Sequence, residues 1–220
     1  MSRHTLDFIE AIEHLPEGAM LRLDNISWDE YEQLLGELGN QPSLRVTYDN
    51  GRVEIISPTY EHEKYKDFVH DLVRLLSLEI GVKLETRGSA THKRKRDQRG
   101  AEPDRCFYVQ NVSAIIDKHR IDLNIDPPPD VVVEIDITSK SLDMLPIYAS
   151  FSVPEIWRYD GKQARIYHLL NQSYVEADAS LSFPILTAQT LTGFLEQSKT
   201  KGQSDALLAF REWVRAQIQS

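Results

Sequence analysis

The sequence predicts an α/β fold in which helices flank a central β-sheet. Apolar residues at 131–133, 135 and 137 follow three prolines, a pattern typical of a strand buried on both faces. The longest helical pattern covers 59–80, where apolar residues recur at helical spacing and Gly81 supplies the stop. Asn50-Gly51 and Asp160-Gly161 each separate two β-prone segments, which predicts two hairpins.

Other signals complete the predicted order of elements. Ser27 and Glu30 form a capping box, which predicts a helix that ends near Gly39 and Asn40. We expect this helix and the hairpin after it to serve as scaffold. The remaining predicted elements are strands at 82–87, 105–109, 155–159, 164–170 and 174–177, and helices at about 142–151, 190–197 and 204–219.

Composition limits the class of protein. At 220 residues the chain fits one domain that can bury a core. The apolar and charged fractions are ordinary, and no signal peptide or transmembrane-length apolar run is present, so we expect a soluble protein. The single cysteine, Cys106, cannot form an internal disulfide, which favours a cytoplasmic location. The net charge of −9 argues against a surface coated with nucleic-acid-binding residues, but it permits an acidic metal site beside a local basic patch.

Carboxylates stand inside or beside the predicted central strands. Glu134 and Asp136 are two residues apart in the buried strand, so their side chains point to the same face. Burying them is costly unless they are paired, protonated or bound to a cation. Asp104 follows Pro103 and leads directly into the strand at 105–109. We therefore expect a cleft, or a positively charged group, at this end of the central strand.

A basic stretch at 88–100 lies immediately before Pro103 and Asp104. Clustered lysine and arginine neutralise phosphates, whereas a block of like charge is also typical of a solvated, mobile loop. The position of the stretch adds weight to the first interpretation, and both interpretations stay open. The predicted nucleic-acid-binding residues are Lys93, Arg94, Lys95, Arg96 and Arg99.

The sequence lacks the motifs of several common active sites and binding sites. The histidines show no spacing suited to a zinc site, and no glycine-rich phosphate loop is present. The nucleophile elbow of a serine or cysteine hydrolase is also absent.

Three motifs stand in a fixed order: Glu102-Pro103-Asp104, then Pro129-Asp130 followed by Glu134 and Asp136, then VPEIWRYDG at 153–161. Their order resembles the Uma family of restriction-endonuclease-like proteins, within the PD-(D/E)XK superfamily of nucleases. The similarity runs from about residue 44 to about residue 170. It implies a restriction-endonuclease-like α/β domain with a central mixed β-sheet and extra helices at the termini. A nuclease-like core at about 58–180 would lie between an N-terminal helix and hairpin at about 1–57 and C-terminal helices at about 187–220.

The same resemblance implies a metal-dependent nuclease that acts on nucleic acid, with DNA favoured. Asp104 and Glu134 would hold Mg²⁺ or Mn²⁺. Glu63 is a further candidate ligand, because the first core helix of such folds often offers a glutamate to the metal; His62 is a weaker candidate. Related folds often dimerise, so we expect a homodimer and no membrane partner.

The lysine of this fold is missing from both positions where the resemblance implies it, which hold Asp136 and Met144. Three interpretations stay open. Lys140, between the central strand and the next helix, reaches the site; or Asp136 serves as a third metal ligand or a base. In the third interpretation the site has decayed, and the protein binds nucleic acid or acts in assembly. Asp136 has a purely structural alternative, in which it pairs with a basic neighbour such as Arg158.

Overall fold

The computed structural model describes residues 9, 11–12, 14–39, 44–88, 90–137 and 143–219. Its strands are β1 (Met20–Leu23), β2 (Arg45–Asp49), β3 (Arg52–Ile56), β4 (Glu85–Thr86), β5 (His92–Arg94), β6 (Arg99–Ala101), β7 (Arg105–Tyr108), β8 (Val131–Ile135), β9 (Glu155–Tyr159), β10 (Ala164–Leu170) and β11 (Ser173–Ala177). Its helices are α1 (Trp28–Leu38), α2 (Tyr60–Ile80), α3 (Val112–Ile115), α4 (Met144–Phe151), α5 (Ala188–Lys201) and α6 (Gln203–Ile218).

A six-stranded mixed sheet forms the centre, in the order β11-β10-β9-β8-β7-β4. The pair β8–β9 is parallel and the other pairs are antiparallel, which confirms the predicted mixed sheet. All five residues of β8 are buried. Val131 and Val133 join the core under α2, α5 and α6, whereas Val132 joins the core under α4. Glu134 shares the face of Val132, because side chains alternate along a strand, and it therefore points towards α4.

A second, five-stranded sheet was not predicted. It has the order β1-β3-β2-β6-β5 and is antiparallel throughout. The hairpin β2–β3 turns at Asn50 and Gly51, both at positive φ, as the sequence predicts. The basic stretch, for which a mobile loop was one interpretation, instead forms the hairpin β5–β6 across a 3₁₀ turn (Lys95–Asp97), and β6 pairs with β2.

Glycine at position 100 allows α1 to dock on this second sheet. A Cβ atom at Gly100 would lie only 2.2 Å from the hydroxyl oxygen of Tyr31, which is closer than real contacts permit. Tyr31 is fully buried and stacks on Tyr48 of β2 with ring centroids 4.7 Å apart. The capping box of Ser27 and Glu30 starts α1 as predicted.

Helix α2 matches the prediction for 59–80 closely. The side chain of Thr59 accepts a hydrogen bond from the main-chain N of His62, and Gly81 ends the helix in the left-handed conformation. Because Thr59 fixes the start of the helix, His62 and Glu63 lie in its first turn. Helix α5 is longer than the predicted 190–197, whereas α6 lies within one residue of the predicted 204–219. Both helices pack against α2 and against each other. Across the described part of the chain, no helix is both long enough and apolar enough to cross a bilayer.

Candidate active site

Asp104 and Glu134 are brought together by the pairing of β7 with β8. Arg105 lies opposite Val133 in that antiparallel pair, so one further step of the register places Asp104 opposite Glu134. The main-chain N of Ile135 donates a hydrogen bond of 2.7 Å to Asp104 Oδ2. Both carboxylates line one cleft, as does Asp136. The cleft encloses about 50 Å³, which is enough for a few water molecules.

The carboxylates of this cleft repel one another. Burial, and next the negative charges of Asp104 and Asp136, hold the pKa of Glu134 well above its ordinary value. Burial also raises the pKa of Asp136, although the Arg158 guanidinium acts in the opposite direction. The hydroxyl of Tyr148, on α4, donates a hydrogen bond to Glu134 Oε1. The negative charges of Asp104 and Asp136, which oppose ionisation of Glu134, would stabilise a cation bound among these oxygens.

His62 forms the wall of the cleft on the α2 side. Its Nε2 lies 3.0 Å from Asp104 Oδ2, and its Nδ1 lies 3.4 Å from Glu63 Oε1, beyond ordinary hydrogen-bond length. Burial opposes the charged ring, but the contacts with Asp104 and then Glu63 outweigh it and raise the pKa of His62 to about 9. The imidazole is therefore a cation near neutral pH and partly offsets the charge of Asp104.

Glu63 lies behind this wall. Lys66 donates to its carboxylate, and Arg45 approaches Oε1 to 3.6 Å. Burial opposes ionisation of Glu63, but the contacts of its carboxylate with His62 and Lys66 prevail and lower its pKa to about 2. Of the two candidates on α2, His62 lines the cleft and Glu63 does not. The role of Glu63 as a metal ligand stays a prediction.

A further part of the cleft lining comes from β2, which the sequence suggested was scaffold. Val46 and Tyr48 face the core beneath α1, so the alternate residues Arg45 and Thr47 face the cleft. The Nε atom of Arg45 lies 3.6 Å from Asp104 Oδ1. The sequence carried only one signal for this residue: it alternates with apolar neighbours in a strand, which is equally typical of a solvent-facing arginine.

The two positions that lack a lysine are both described. The Oδ2 atom of Asp136 accepts a hydrogen bond of 2.8 Å from Arg158 Nε and lies 2.7 Å from Arg158 Nη2. The predicted pairing of Asp136 with Arg158 is therefore confirmed. Met144 is the first residue of α4 and lines the cleft. Its Sδ atom accepts a hydrogen bond of 3.8 Å from the Thr47 hydroxyl. Lys140 lies outside the described residues, so its role stays a prediction.

The donor set of the cleft suits a hard divalent cation. Carboxylate oxygens and a main-chain carbonyl are the ligands Mg²⁺ prefers, and Mg²⁺ is commonly held by one or two carboxylates with the remaining positions filled by water. Within the described ranges, no group of three or more histidine, cysteine, aspartate or glutamate side chains is arranged to hold a metal ion. Asp104 and Glu134 could supply two such carboxylates, and water would fill the remaining positions.

The five basic residues of the predicted nucleic-acid patch differ in what they contact. Arg94 is buried and donates to the main-chain carbonyls of Ser150 and Leu123 and to Asp97. Lys93 pairs with Glu32 at 2.5 Å, and Arg99 donates to Asp49 and to the carbonyl of Pro146. Lys95 and Arg96 expose 66% and 70% of their side chains, beside Asp29 and Asp97 respectively. These last two are the members best placed to meet a phosphate.

Comparison with known proteins supports the resemblance. The family model described as "Uma2: Putative restriction endonuclease" matches residues 28–195. A crystal structure of "a putative nuclease belonging to DUF820" from Anabaena variabilis superposes with a TM-score of 0.52, covering 77% of this chain and 99% of that one at 17% identity. At that identity the likeness shows the fold, which is restriction-endonuclease-like. A search of curated proteins finds no match. Because the family model spans well over half of the chain, this protein belongs to the Uma2 family.

Proposed function

We propose that the protein is a metal-dependent nuclease that hydrolyses phosphodiester bonds of nucleic acid, with DNA as the favoured substrate. The observation that carries the proposal is the convergence of Asp104 and Glu134, from adjacent strands, on one cleft together with Asp136. Membership of a family described as restriction endonucleases points in the same direction. A cytoplasmic location and a homodimer stay predictions from the sequence.

Asp104 and Glu134 would hold Mg²⁺ or Mn²⁺. When bound, such an ion lowers the pKa of a coordinated water and stabilises charge on the phosphate. The chain's own residues position this pair. The main-chain N of Ile135 and the His62 ring hold Asp104, and the Tyr148 hydroxyl orients Glu134. The Arg158 guanidinium holds Asp136 at the edge of the cleft, so Asp136 is the weaker candidate for a ligand or base.

A second function is favoured by a specific observation. Asp104 already meets His62, Arg45 and a main-chain N–H of this chain, and neither lysine position holds a lysine. A carboxylate satisfied in this way serves a purely structural role equally well. The protein would then be a nuclease fold that binds nucleic acid, or takes part in assembly, without cutting.

One experiment separates the two functions. Supercoiled, linear and single-stranded DNA are incubated with Mg²⁺ or Mn²⁺ and either wild type, Asp104→Asn or the exposed control Asp117→Asn. Binding of Mn²⁺ is followed in parallel by electron paramagnetic resonance. A nuclease requires that wild type and Asp117→Asn cut and bind Mn²⁺ while Asp104→Asn does neither. If all three bind DNA without cutting and without Mn²⁺, the binding module is correct.

A further inference from the structure

We propose that Arg158 and Arg165 form a phosphate-binding site beside the cleft, which holds the nucleic-acid strand at a phosphate near the bond to be cut. This inference rests on the proposed nuclease function, which it deepens by assigning residues that hold the substrate outside the cleft. Three observations carry it: the strand register, the place where the apolar core ends, and the N–H groups that the two ion-paired guanidiniums still offer.

Four side chains form a row across the central sheet. Asp104, just before β7, lies opposite Glu134 of β8. Glu134 lies opposite Arg158 of β9, and Arg158 lies opposite Arg165 of β10. Residues opposite each other share one face of a sheet, and the strands of the two arginines lie about 5 Å and 10 Å beyond β8. The row therefore joins the two candidate metal ligands to a pair of arginines.

The arginine end of the row lies where the apolar core under α4 ends. Ile156 of β9 belongs to that core, and Tyr167 of β10 packs against it. Because alternate residues of a strand share a face, Arg158 and Arg165 are the next residues of β9 and β10 on that face. Their side chains are 35% and 34% exposed, so both reach solvent beside the cleft.

Both arginines are ion-paired and still have donors to offer. Two like charges directly opposite each other are destabilising, and here each has its own carboxylate. Arg158 uses Nε and Nη2 on Asp136. Arg165 uses Nη1 on Asp160 and Nη2 on Gln163. A guanidinium carries five N–H donors, so within the described contacts Arg158 Nη1 and Arg165 Nε can donate to an added oxygen while both ion pairs stay in place.

A phosphate of the substrate strand fits this pair of arginines. The planar N–H donors of a guanidinium match the oxygens of a phosphate, and the added negative charge offsets the repulsion between the two cations. Each strand of B-DNA carries a phosphate about every 3.4 Å along the helix axis. A strand whose reacting phosphate lies at Asp104 and Glu134 therefore brings a later phosphate within reach of the arginines. The pair transfers no proton and forms no covalent bond.

The test acts on Arg165, because Arg158 also holds a carboxylate of the cleft. Arg165→Gln combined with Asp160→Asn removes the arginine together with its carboxylate, so the net charge stays unchanged. Arg52→Gln combined with Asp24→Asn is the matched control, because it removes another exposed arginine–aspartate pair, on the second sheet. Arg165→Lys keeps the positive charge but loses the planar donor geometry.

Binding is measured first. Labelled duplex and single-stranded DNA are titrated in EDTA at several salt concentrations, with fluorescence anisotropy as the readout. We expect the Arg165 double variant to bind about tenfold more weakly and to lower the slope of log K against log salt by about 1, as for one lost phosphate contact. Arg165→Lys should keep the wild-type slope, and the control should match wild type. Wild-type affinity and slope in the Arg165 double variant would overturn the proposal, as would a wild type that binds no DNA.

Cleavage kinetics separate this site from the cleft. A contact away from the reacting bond is equally strong in the ground state and the transition state. Under single-turnover conditions we therefore expect the Arg165 double variant to need about tenfold more DNA for its half-maximal rate and to keep its maximum rate within about twofold. A loss confined to the maximum rate would overturn the proposal. If wild type binds DNA without cutting and the binding losses occur as expected, the nuclease proposal fails while the arginine pair remains a phosphate site.

Discussion

At the residue scale, Glu134, Asp136 and Asp104 in the cleft each accept a hydrogen bond from a different donor. The Tyr148 hydroxyl donates to Glu134, and the Arg158 guanidinium donates to Asp136. The main-chain N of Ile135 donates to Asp104. Removing such a donor costs more than the bond contributes, because the acceptor stays buried and loses its compensation. The cleft is therefore a place where conservative substitutions have large effects.

Tyr148→Phe tests this directly, because it removes one hydroxyl and keeps the ring. We expect the free energy of unfolding to fall by about 1–3 kcal/mol, since a buried carboxylate loses its donor. Tyr174→Phe is the matched control: its hydroxyl donates to the neutral main-chain carbonyl of Val153 at 2.7 Å. Urea unfolding measures both variants. Equal losses in the two would show that Glu134 gains nothing special from Tyr148.

His92 gives the protein a predictable response to acid. The residue is 2% exposed, neither ring nitrogen has a hydrogen-bond partner among the described residues, and burial lowers its pKa to about 4. The unfolded chain binds a proton near pH 6.5 and the folded chain does not, so the contribution of His92 to stability is full above pH 6.5. It is lost as the pH falls from 6.5 to about 4, by up to about 3 kcal/mol.

His92→Leu should remove this acid response. Urea unfolding measures the difference in unfolding free energy between wild type and variant. We expect this difference to change by up to about 3 kcal/mol between pH 6.5 and about pH 4. His119→Gln, at an exposed position, should follow wild type at every pH. A His92→Leu profile parallel to wild type would show that His92 does not titrate as its burial implies.

At the element scale, the Arg94 side chain joins the β5–β6 hairpin to the rest of the fold. The Arg94 guanidinium donates to the carbonyl of Leu123 at 3.0 Å and to that of Ser150 at 2.9 Å, and it lies over the ring of Phe151. These contacts join the hairpin to α4 and to the segment before β8. A strand with so few apolar residues is stabilised by its tertiary contacts rather than by its intrinsic preference for a sheet.

We expect Arg94→Lys to loosen this hairpin, because an ammonium group cannot reproduce the planar donor geometry. The predicted loss is about 2–4 kcal/mol, from buried carbonyls left without donors. Hydrogen exchange should accelerate at the amides of β5 and β6 before it does so in β8. Arg96→Lys, at an exposed position of the same turn, should leave exchange unchanged. Unchanged protection in Arg94→Lys would mean that the strand pairing alone holds the hairpin.

At the scale of the whole molecule, α5 and α6 complete the main core. Phe210 of α6 is fully buried, 4.9 Å from Phe194 and 5.5 Å from Trp213 between ring centroids, in the same apolar cluster as β8 and α2. Glu79 of α2 accepts hydrogen bonds from Arg211 and Arg215 of α6, which holds α6 against α2. We therefore expect the C-terminal helices to unfold together with the central sheet.

Phe210→Ala should lower the free energy of unfolding by about 3–5 kcal/mol through the cavity it creates. Leu208→Ala, where the side chain is mostly exposed, should change it by no more than about 0.5 kcal/mol. Far-ultraviolet circular dichroism and tryptophan fluorescence should report one coincident transition in both variants if the chain is a single domain. Separate transitions would show that α5 and α6 fold independently and would contradict the single-domain prediction.

The parts of the fold that the sequence predicted are those with local signals. Helix α2 begins at a threonine cap and ends at a left-handed glycine, and hairpins turn at Asn50-Gly51 and Asp160-Gly161. Each signal acts over a few residues, so it can be recognised without knowing the rest of the chain. The pairing of β2 with β6, which completes the second sheet, carries no such signal. It forms because Tyr48 pairs with Gly100 across fifty-odd residues, and the ion pairs of Lys93 and Lys95 with α1 assist it.

The sequence by itself determined the order of the motifs and the presence of Asp104 and Glu134 at the ends of two predicted strands. Only the tertiary structure decided what surrounds them. It brought Arg45 and His62 to the lining of the cleft beside Asp104 and made Asp136 the partner of Arg158. The physical reason is that electrostatic contacts depend on distance in space, and strand pairing and helix docking set that distance between residues far apart in the chain.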